Sequence, residues 1–171
     1  MKSALLLTIV SLSMLVACGQ DDKSKRPSPP AQAKETLASG AVVIIDYSQP
    51  AVKGRTIGKD LEPMPGKVWR TGANEATVFE VSKDVKVEGQ DLKAGKYALF
   101  TIANDGEWTI IFNKNPKQWG AYDYKQSEDA LRVKVKPSKN ESFAEKMTFV
   151  VDKNGTVSLL WGDRKVDFKV V

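Results

Sequence analysis

The chain has 171 residues, of which 42% are hydrophobic and 27% charged, and its formal net charge is +5 at pH 7. It contains no histidine and one cysteine, Cys18, which excludes an internal disulfide, histidine-based triads, and zinc or blue-copper sites. Lysine and arginine are scattered among acidic residues, and without a basic block we expect no nucleic-acid partner. We also expect no metal and no other cofactor.

A short apolar segment at the start of the chain ends at Cys18. Lys2 precedes an almost wholly apolar run over 4–16, which is too short for a membrane-spanning helix of about 20 residues. Leu15-Val16-Ala17-Cys18 looks like a bacterial lipobox. It predicts that residues 1–17 are a lipoprotein signal peptide and that the sulfur of Cys18 carries lipid, with fatty acids such as palmitate. The alternatives are an ordinary cleaved signal peptide or a buried N-terminal helix.

The next segment, residues 18–40, is rich in Asp, Lys, Ser, Pro, Ala and Gln, and Leu37 is its one large apolar residue. Such a composition buries too little apolar surface to fold, so we predict a flexible, disordered tether. The membrane is then a partner through the N-terminal lipid. Gly19 follows the cysteine where an inner-membrane retention signal has Asp. This favours an outer-membrane anchor, with the domain in the periplasm or on the cell surface.

Residues 41–171 have the length of one domain and the periodicity of strands. Two stretches, 127–130 and 142–146, are the only ones that favour helical turns. Turn signals such as Asn-Asp-Gly and Lys-Asn-Gly separate the apolar runs. The pattern predicts an all-β domain, an antiparallel β-sandwich (jelly-roll-like) of about eight to nine strands. The predicted strands are 41–47, 76–81, 85–87, 96–102, 108–112, 131–136, 147–151, 157–161 and 165–170.

The segment 66–77 interrupts strand alternation and has the densest mixture of polar and aromatic residues. It offers an indole as a stacking face, a guanidinium as a fork for carboxylate or sugar oxygens, and an amide that both donates and accepts. The residues that we predict to contact a ligand here are Trp69, Arg70, Thr71, Asn74 and Glu75.

A structural corner is the alternative interpretation of the same segment. In that case Arg70 and Glu75 pair with each other, Gly72 supplies an unusual backbone angle, and Asn74 caps a turn.

A second cluster follows the predicted strand 108–112, where residues 113–124 place three aromatic rings in a loop. Exposed aromatic rings on a loop are typical of a binding platform, so we predict that Trp119 and Tyr122 contact a ligand. The alternative is a long loop whose rings fold back as a satellite core.

Five motifs occur in an order that resembles the family called domain of unknown function 2911. The resemblance spans about residues 42–171 and implies an exported all-β domain, but it supplies no activity and no catalytic residue. The motifs are DYSQPAVKGR at 46–55, GKVWRTGANEAT at 66–77, AGKYALFTI at 94–102, WTIIFNK at 108–114 and WGAYDY at 119–124.

Two functions remain open from the sequence. The first is a lipid-anchored binding module for a carbohydrate, a peptide or another envelope protein. The second is a hydrolase or isomerase that acts on a polar envelope substrate through carboxylates such as Asp46, Glu75 or Asp123. Glycosidase-like chemistry needs two carboxyl groups facing each other across a cleft.

Overall fold

The computed structural model describes residues 22–171, so the predicted signal peptide and Cys18 lie outside the described residues. This part contains eleven strands and two short 3₁₀ turns, at Lys23–Lys25 and Gln126–Glu128. Within 22–171, no helix is long and apolar enough to cross a membrane. The strands are β1 (Pro30–Thr36), β2 (Val42–Ser48), β3 (Val68–Trp69), β4 (Thr77–Val81), β5 (Val85–Val87), β6 (Gln90–Leu92), β7 (Gly95–Asn104), β8 (Glu107–Asn113), β9 (Asp129–Val135), β10 (Pro137–Val151) and β11 (Thr156–Lys169).

Seven strands form one antiparallel sheet. Six of them follow the order β1-β2-β4-β7-β8-β9, and the seventh, β3, pairs with the C-terminal part of β7. The long hairpin β10–β11 and the short hairpin β5–β6 complete the fold. Gly155 makes the β10–β11 turn possible, because its φ is +86° and a Cβ there would lie 1.8 Å from the carbonyl oxygen of Val170. The predicted antiparallel β-sandwich is confirmed in this sandwich-like, almost entirely β arrangement.

The main core lies between the seven-stranded sheet and the β10–β11 hairpin. Alternate residues of β2, β4, β7, β8 and β9 point inward, as expected for strands with one face on a core. Phe79 and Phe112 from the sheet pack edge to face at 5.0 Å between ring centroids, and Phe168 of β11 lies 6.0 Å from Phe112. Tyr47 and Phe149 make a similar contact at 5.1 Å. These aromatic contacts hold the hairpin on the sheet.

The opposite face of the sheet carries a second, smaller apolar cluster in its middle. Phe100 of β7 and Ile111 of β8 are fully buried there. The loop between β8 and β9 covers them with Ala121 and Tyr124. Because this loop packs on β7, both faces of that strand are buried.

The prediction of a disordered tether over residues 18–40 is wrong for its second half. Residues 30–36 form β1, and each of them pairs with a residue of β2, from Pro30 opposite Ser48 to Thr36 opposite Val42. Backbone hydrogen bonds to an existing strand hold a polar segment in place without a large apolar face. Its charged residues suit an edge strand, and its proline stands at the first position. Leu37 is buried in the main core.

Three local expectations also differ from the structure. No turn separates the predicted strands 157–161 and 165–170, because β11 runs continuously through Gly162 with a register shift against β10. The predicted helical turn at 142–146 is part of β10. The short strands β1, β3 and β6 were not predicted, since two or three residues, or a polar segment, carry no alternation signal.

The pairing of β1 can be tested by placing the same side chain on its two faces. Ala33 is buried opposite Ile45, whereas Lys34 is exposed opposite Ile44. Ala33→Asn forces an amide into the core, and we expect the free energy of unfolding to fall by about 1–3 kcal/mol. Lys34→Asn is the matched control and should change it by less than about 0.5 kcal/mol. Chemical denaturation measures both, and equal, negligible effects contradict a folded β1.

Candidate functional site

The corner between β3 and β4 is rigid and mostly buried. Trp69 pairs with Thr101 of β7, is 2% exposed, and donates its indole N–H to the carbonyl oxygen of Gly72 at 3.0 Å. The Thr71 hydroxyl is buried 3.2 Å from Thr101 Oγ1, and Thr77 Oγ1 donates to the Thr71 carbonyl at 2.7 Å. The predicted contacts Trp69 and Thr71 therefore belong to the wall and support of any site rather than to an open surface.

The unusual backbone angles of the corner belong to Thr71 and Asn74, with φ of 52° and 58°. A β-branched residue at positive φ costs about 1–3 kcal/mol and persists only where its surroundings hold it. The expectation that Gly72 supplies this angle is wrong. Close packing favours glycine at position 72 instead, because a Cβ there would lie 3.0 Å from Thr77 Oγ1 and 3.1 Å from the Ser48 carbonyl oxygen.

Arg70 is the exception in this well-bonded corner. Its Nε is buried and has no hydrogen-bond partner among the residues that the structure describes. The side chain lines a pocket of about 160 Å³ beside Trp69 and Trp161. Buried polar groups are nearly always paired, so an unpaired guanidinium nitrogen in a pocket calls for a physical explanation.

The other groups around this pocket are already hydrogen-bonded within the protein. Trp161 donates its indole N–H to the Glu62 carbonyl oxygen at 2.8 Å, and the Glu62 carboxylate accepts the backbone N–H of Met64 at 2.7 Å. Arg55, also on the wall, donates to the carbonyl oxygens of Val52 and Ala51. The pocket therefore combines two indole faces and two guanidinium groups with one carboxylate.

Glu75 does not pair with Arg70, so that part of the structural-corner interpretation is wrong. Its carboxylate accepts from Lys23 Nζ at 2.8 Å and from Arg26 Nη1 at 3.1 Å to each oxygen. Partial burial raises the pKa of Glu75, but the hydrogen bonds from Lys23, its own backbone N–H and Arg26 outweigh it and lower the pKa to about 2.

Asn74 also binds the N-terminal segment that carries Lys23 and Arg26. Its Nδ2 donates to the carbonyl oxygen of Ser28 at 3.1 Å. Ser28 in turn lines the Arg70 pocket. Residues 22–29, which we name the N-terminal arm, are therefore held on the corner by Glu75 and Asn74, and they form part of the pocket wall.

The loop of residues 113–124 divides into a buried and an exposed part. Tyr124 packs on Phe100 at 5.0 Å between ring centroids and donates its hydroxyl to Asp129 at 2.7 Å. Burial first, and the hydrogen bond to Asp129 next, raise the pKa of Tyr124 to about 12. For this ring the satellite-core interpretation is correct. Trp119 and Tyr122 differ, because they are 54% and 84% exposed.

The structure brings the two predicted clusters together along the backbone. Glu75 and Trp119 form an isolated antiparallel bridge, and the N–H of Gly120 donates to the Asn74 carbonyl oxygen at 3.0 Å. Yet the seven predicted residues do not surround one pocket. Trp69 and Arg70 line the Arg70 pocket, whereas Trp119 and Tyr122 are exposed, and Glu75 is bridged to Trp119 through the backbone.

The carboxylates proposed for hydrolysis are poorly placed for proton transfer. Asp46 and Glu75 line one pocket of about 170 Å³. Asp46 accepts from Gln32 Nε2 at 2.7 Å, and Glu75 stays ionised in its ion pairs, so it cannot act as a general acid near neutral pH. Asp123 lies in the exposed part of the loop.

A larger pocket of about 430 Å³ is lined by Pro63, Pro65 and the residues of the β7–β8 turn. Its charged groups include the exposed Asp105, Lys139 and Asp163, and none of its lining atoms is a buried polar atom without a partner. Among residues 22–171, no group of three or more acidic side chains is arranged to hold a metal ion. The Arg70 pocket is therefore the better candidate site.

Comparison with known proteins gives one match. The profile of a family described as "Protein of unknown function (DUF2911)" matches residues 28–170. The match begins just before β1, in agreement with the pairing of that strand. No curated protein matches the chain, and no solved structure matches it.

Sequence reasoning missed three residues around the candidate site: Arg26, Ser28 and Glu62. They come from two separate stretches of the chain, and no spacing pattern connects them. The proline-rich composition around Arg26 and Ser28 pointed instead to a tether.

The ion pairs of Glu75 predict a specific acid sensitivity. Because the pKa in the folded protein is about 2 and the ordinary value is 4.5, Glu75 stabilises the fold above about pH 4.5 and loses this contribution as the pH falls toward 2. Glu75→Gln should therefore be less stable than the wild type at pH 7, by up to about 1 kcal/mol for partly exposed pairs.

The difference between Glu75→Gln and the wild type should disappear by about pH 2, which denaturation curves at several pH values measure. Glu141→Gln, on an exposed residue of β10, serves as the control and should show no such difference. A Glu75→Gln protein as stable as the wild type at pH 7 contradicts the role of Glu75 in holding the N-terminal arm.

Proposed function

We propose a function from the pocket itself, because the chain belongs to the DUF2911 family of proteins of unknown function and membership in that family implies no activity. The domain is a ligand-binding module of the cell envelope, and its Arg70 pocket binds the anionic group of a small ligand or of a larger envelope molecule. The observation that carries this proposal is the buried Nε of Arg70, which has no partner in the described part of the chain.

An unpaired guanidinium nitrogen is costly in the apo protein. Leaving a buried donor unsatisfied costs about 1–3 kcal/mol, and more when the group is charged. The rest of the corner is fully bonded, with Thr71, Thr77 and the Trp69 indole all paired. A ligand that brings an acceptor removes the penalty once the Arg70 side chain turns its Nε toward the pocket.

The chemistry of the pocket favours a carboxylate. A guanidinium presents a planar fork that matches two carboxylate oxygens, and its attraction is strengthened inside a partly desolvated pocket. The indoles of Trp69 and Trp161 already donate their N–H groups to backbone carbonyls, so they offer apolar faces to the atoms attached to the carboxylate. Since a water molecule takes up about 30 Å³, the pocket of about 160 Å³ accepts a carboxylate with a few attached atoms.

Binding is favoured over catalysis at this site. A hydrolase needs a group that donates or accepts a proton in the reaction. Among residues 22–171, the one carboxylate that lines the pocket is that of Glu62, which already accepts the N–H of Met64. The guanidinium groups of Arg70 and Arg55 donate hydrogen bonds and offer no acceptor. The pocket thus contains groups for holding an anion but no pair of groups for acid–base chemistry.

The anchor is a separate part of the proposal. The lipobox Leu15-Val16-Ala17-Cys18 after an apolar run supports a diacylated Cys18 in the outer membrane. One acyl chain alone gives marginal, reversible membrane binding, whereas two or three make dissociation negligible. The module then samples its ligands at the membrane surface, with its domain in the aqueous phase.

Removal of the Arg70 guanidinium should abolish anion binding without lowering the stability of the ligand-free protein. We expect sodium acetate to raise the melting temperature of the wild type relative to sodium chloride or acetamide at equal concentration. A ligand at 100 times its Kd stabilises by about 2.7 kcal/mol. In Arg70→Met this effect should vanish, while the ligand-free protein keeps or gains stability, by up to about 2 kcal/mol, because a buried unpaired donor is gone.

Arg164→Gln is the matched control, because this guanidinium lines the larger pocket rather than the Arg70 pocket. It should keep the acetate effect. If the wild type responds equally to acetate and acetamide, or if Arg70→Met loses stability like a core variant, Arg70 is a structural residue and the binding proposal is wrong.

The anchor has its own test. Cys18→Ala removes the only thiol in the chain, and we expect it to abolish labelling by radioactive or clickable palmitate and to release or misprocess the protein. Labelling that persists in Cys18→Ala overturns the lipoprotein proposal without affecting the Arg70 pocket.

A further inference from the structure

Two exposed aromatic rings lie beside the start of the N-terminal arm. Trp119 is 54% and Tyr122 84% exposed, and neither ring's polar atom has a hydrogen bond within residues 22–171. The Tyr122 ring lies against Gly120, where a Cβ would meet it at 2.9 Å. We name Trp119, Gly120 and Tyr122 the aromatic face.

The arm brings the face close to the point where the chain leaves the described structure. Lys23 Nζ lies 2.8 Å from the Glu75 carboxylate, and Glu75 forms a backbone bridge with Trp119. Lys23 is five residue steps along the chain from Cys18, and a chain extends at most about 3.6 Å per residue. Lys23 therefore stays within about 18 Å of Cys18, whatever path the chain takes.

This distance is short compared with the domain. A domain of about 150 residues has a radius of gyration near 15 Å, so its diameter is roughly twice the reach of the linking residues. The ordered arm and β1 remove the long spacer that the composition of residues 18–40 predicted. If Cys18 is lipidated, the side of the domain that carries Lys23 and the aromatic face is the side nearest the bilayer.

We propose that the aromatic face inserts Trp119 and Tyr122 into the interfacial region of the membrane that holds the lipid anchor. The proposal rests on the lipidation of Cys18 proposed above. Trp and Tyr have an apolar ring with a polar tip and are enriched at the level of lipid headgroups, which suits two exposed rings with free polar atoms.

Charge plays a minor part in this contact. The four cationic groups near the face, Lys23, Lys25, Arg26 and Lys117, exceed the three acidic ones, Asp22, Glu75 and Asp123, by one charge. Insertion by rings alone requires no anionic lipid, so it should occur on neutral phosphatidylcholine and resist added salt, unlike binding by a basic patch.

The tryptophans of the chain make a direct test possible. Trp69, Trp108 and Trp161 are at most 2% exposed, so of the four tryptophans only Trp119 can meet a quencher in the bilayer. The full-length lipidated protein is reconstituted in phosphatidylcholine vesicles brominated near the headgroup end of the acyl chains. We expect the bromine to remove the part of the tryptophan emission that comes from Trp119. The drop in emission of Trp119→Phe relative to the wild type, both in unbrominated vesicles, measures that part.

Matched variants locate the contact. Tyr122→Ser should weaken the quenching, whereas Phe143→Ser, at another exposed aromatic residue, on β10 in the other layer of the fold, should leave it unchanged. Vesicle flotation, run in parallel, reports the anchor. Flotation without quenching overturns the membrane contact and leaves the anchor standing, as expected if a soluble envelope partner covers the rings. Failure of the full-length protein to float overturns the anchor and the contact together.

Discussion

Burial of the central strand β7 on both faces is the constraint on which the rest of the structure depends. Its inner residues pack against the β10–β11 hairpin, and Phe100 on its outer face packs under the loop that carries Tyr124. The C-terminal part of β7 also pairs with β3, which fixes Trp69 and the corner that follows. One strand thereby positions the hairpin, the corner and the aromatic loop, and the last two supply the candidate site and the aromatic face.

The corner shows how a rigid support leaves one group unsatisfied. Thr71 is held at a positive φ by a buried hydroxyl contact to Thr101 and by the hydrogen bond from Thr77, so the direction of Arg70 next to it is set by the backbone. A free side chain would turn toward water or an acceptor. Arg70 keeps its Nε buried without one, which means that local packing outweighs the cost of an unpaired donor.

The sequence predicted what depends on local pattern and missed what depends on distant partners. Strands with strict alternation or a long apolar run, such as β7 and β8, were predicted within a few residues, and so was the all-β class. β1 was missed because its stability comes from pairing with β2 rather than from its own composition. The partner of Glu75 was also wrong, because Arg26 is 49 residues away and no spacing rule connects them. The aromatic loop was left open between two interpretations: the satellite-core interpretation is correct for Tyr124, whereas Trp119 and Tyr122 are exposed and their contact with a ligand stays a prediction.

The N-terminal arm connects the Arg70 pocket with the aromatic face. The same eight residues, 22–29, contribute Ser28 to the Arg70 pocket and place Lys23 beside the bridge of Glu75 with Trp119. If Cys18 carries the proposed lipid, an arm that is folded onto the domain limits how far the domain can turn away from that anchor. Since the arm contacts both the Arg70 pocket and Glu75 beside the aromatic face, the proposed orientation at a membrane would also fix the direction in which the pocket opens. A disordered tether would have left that direction free.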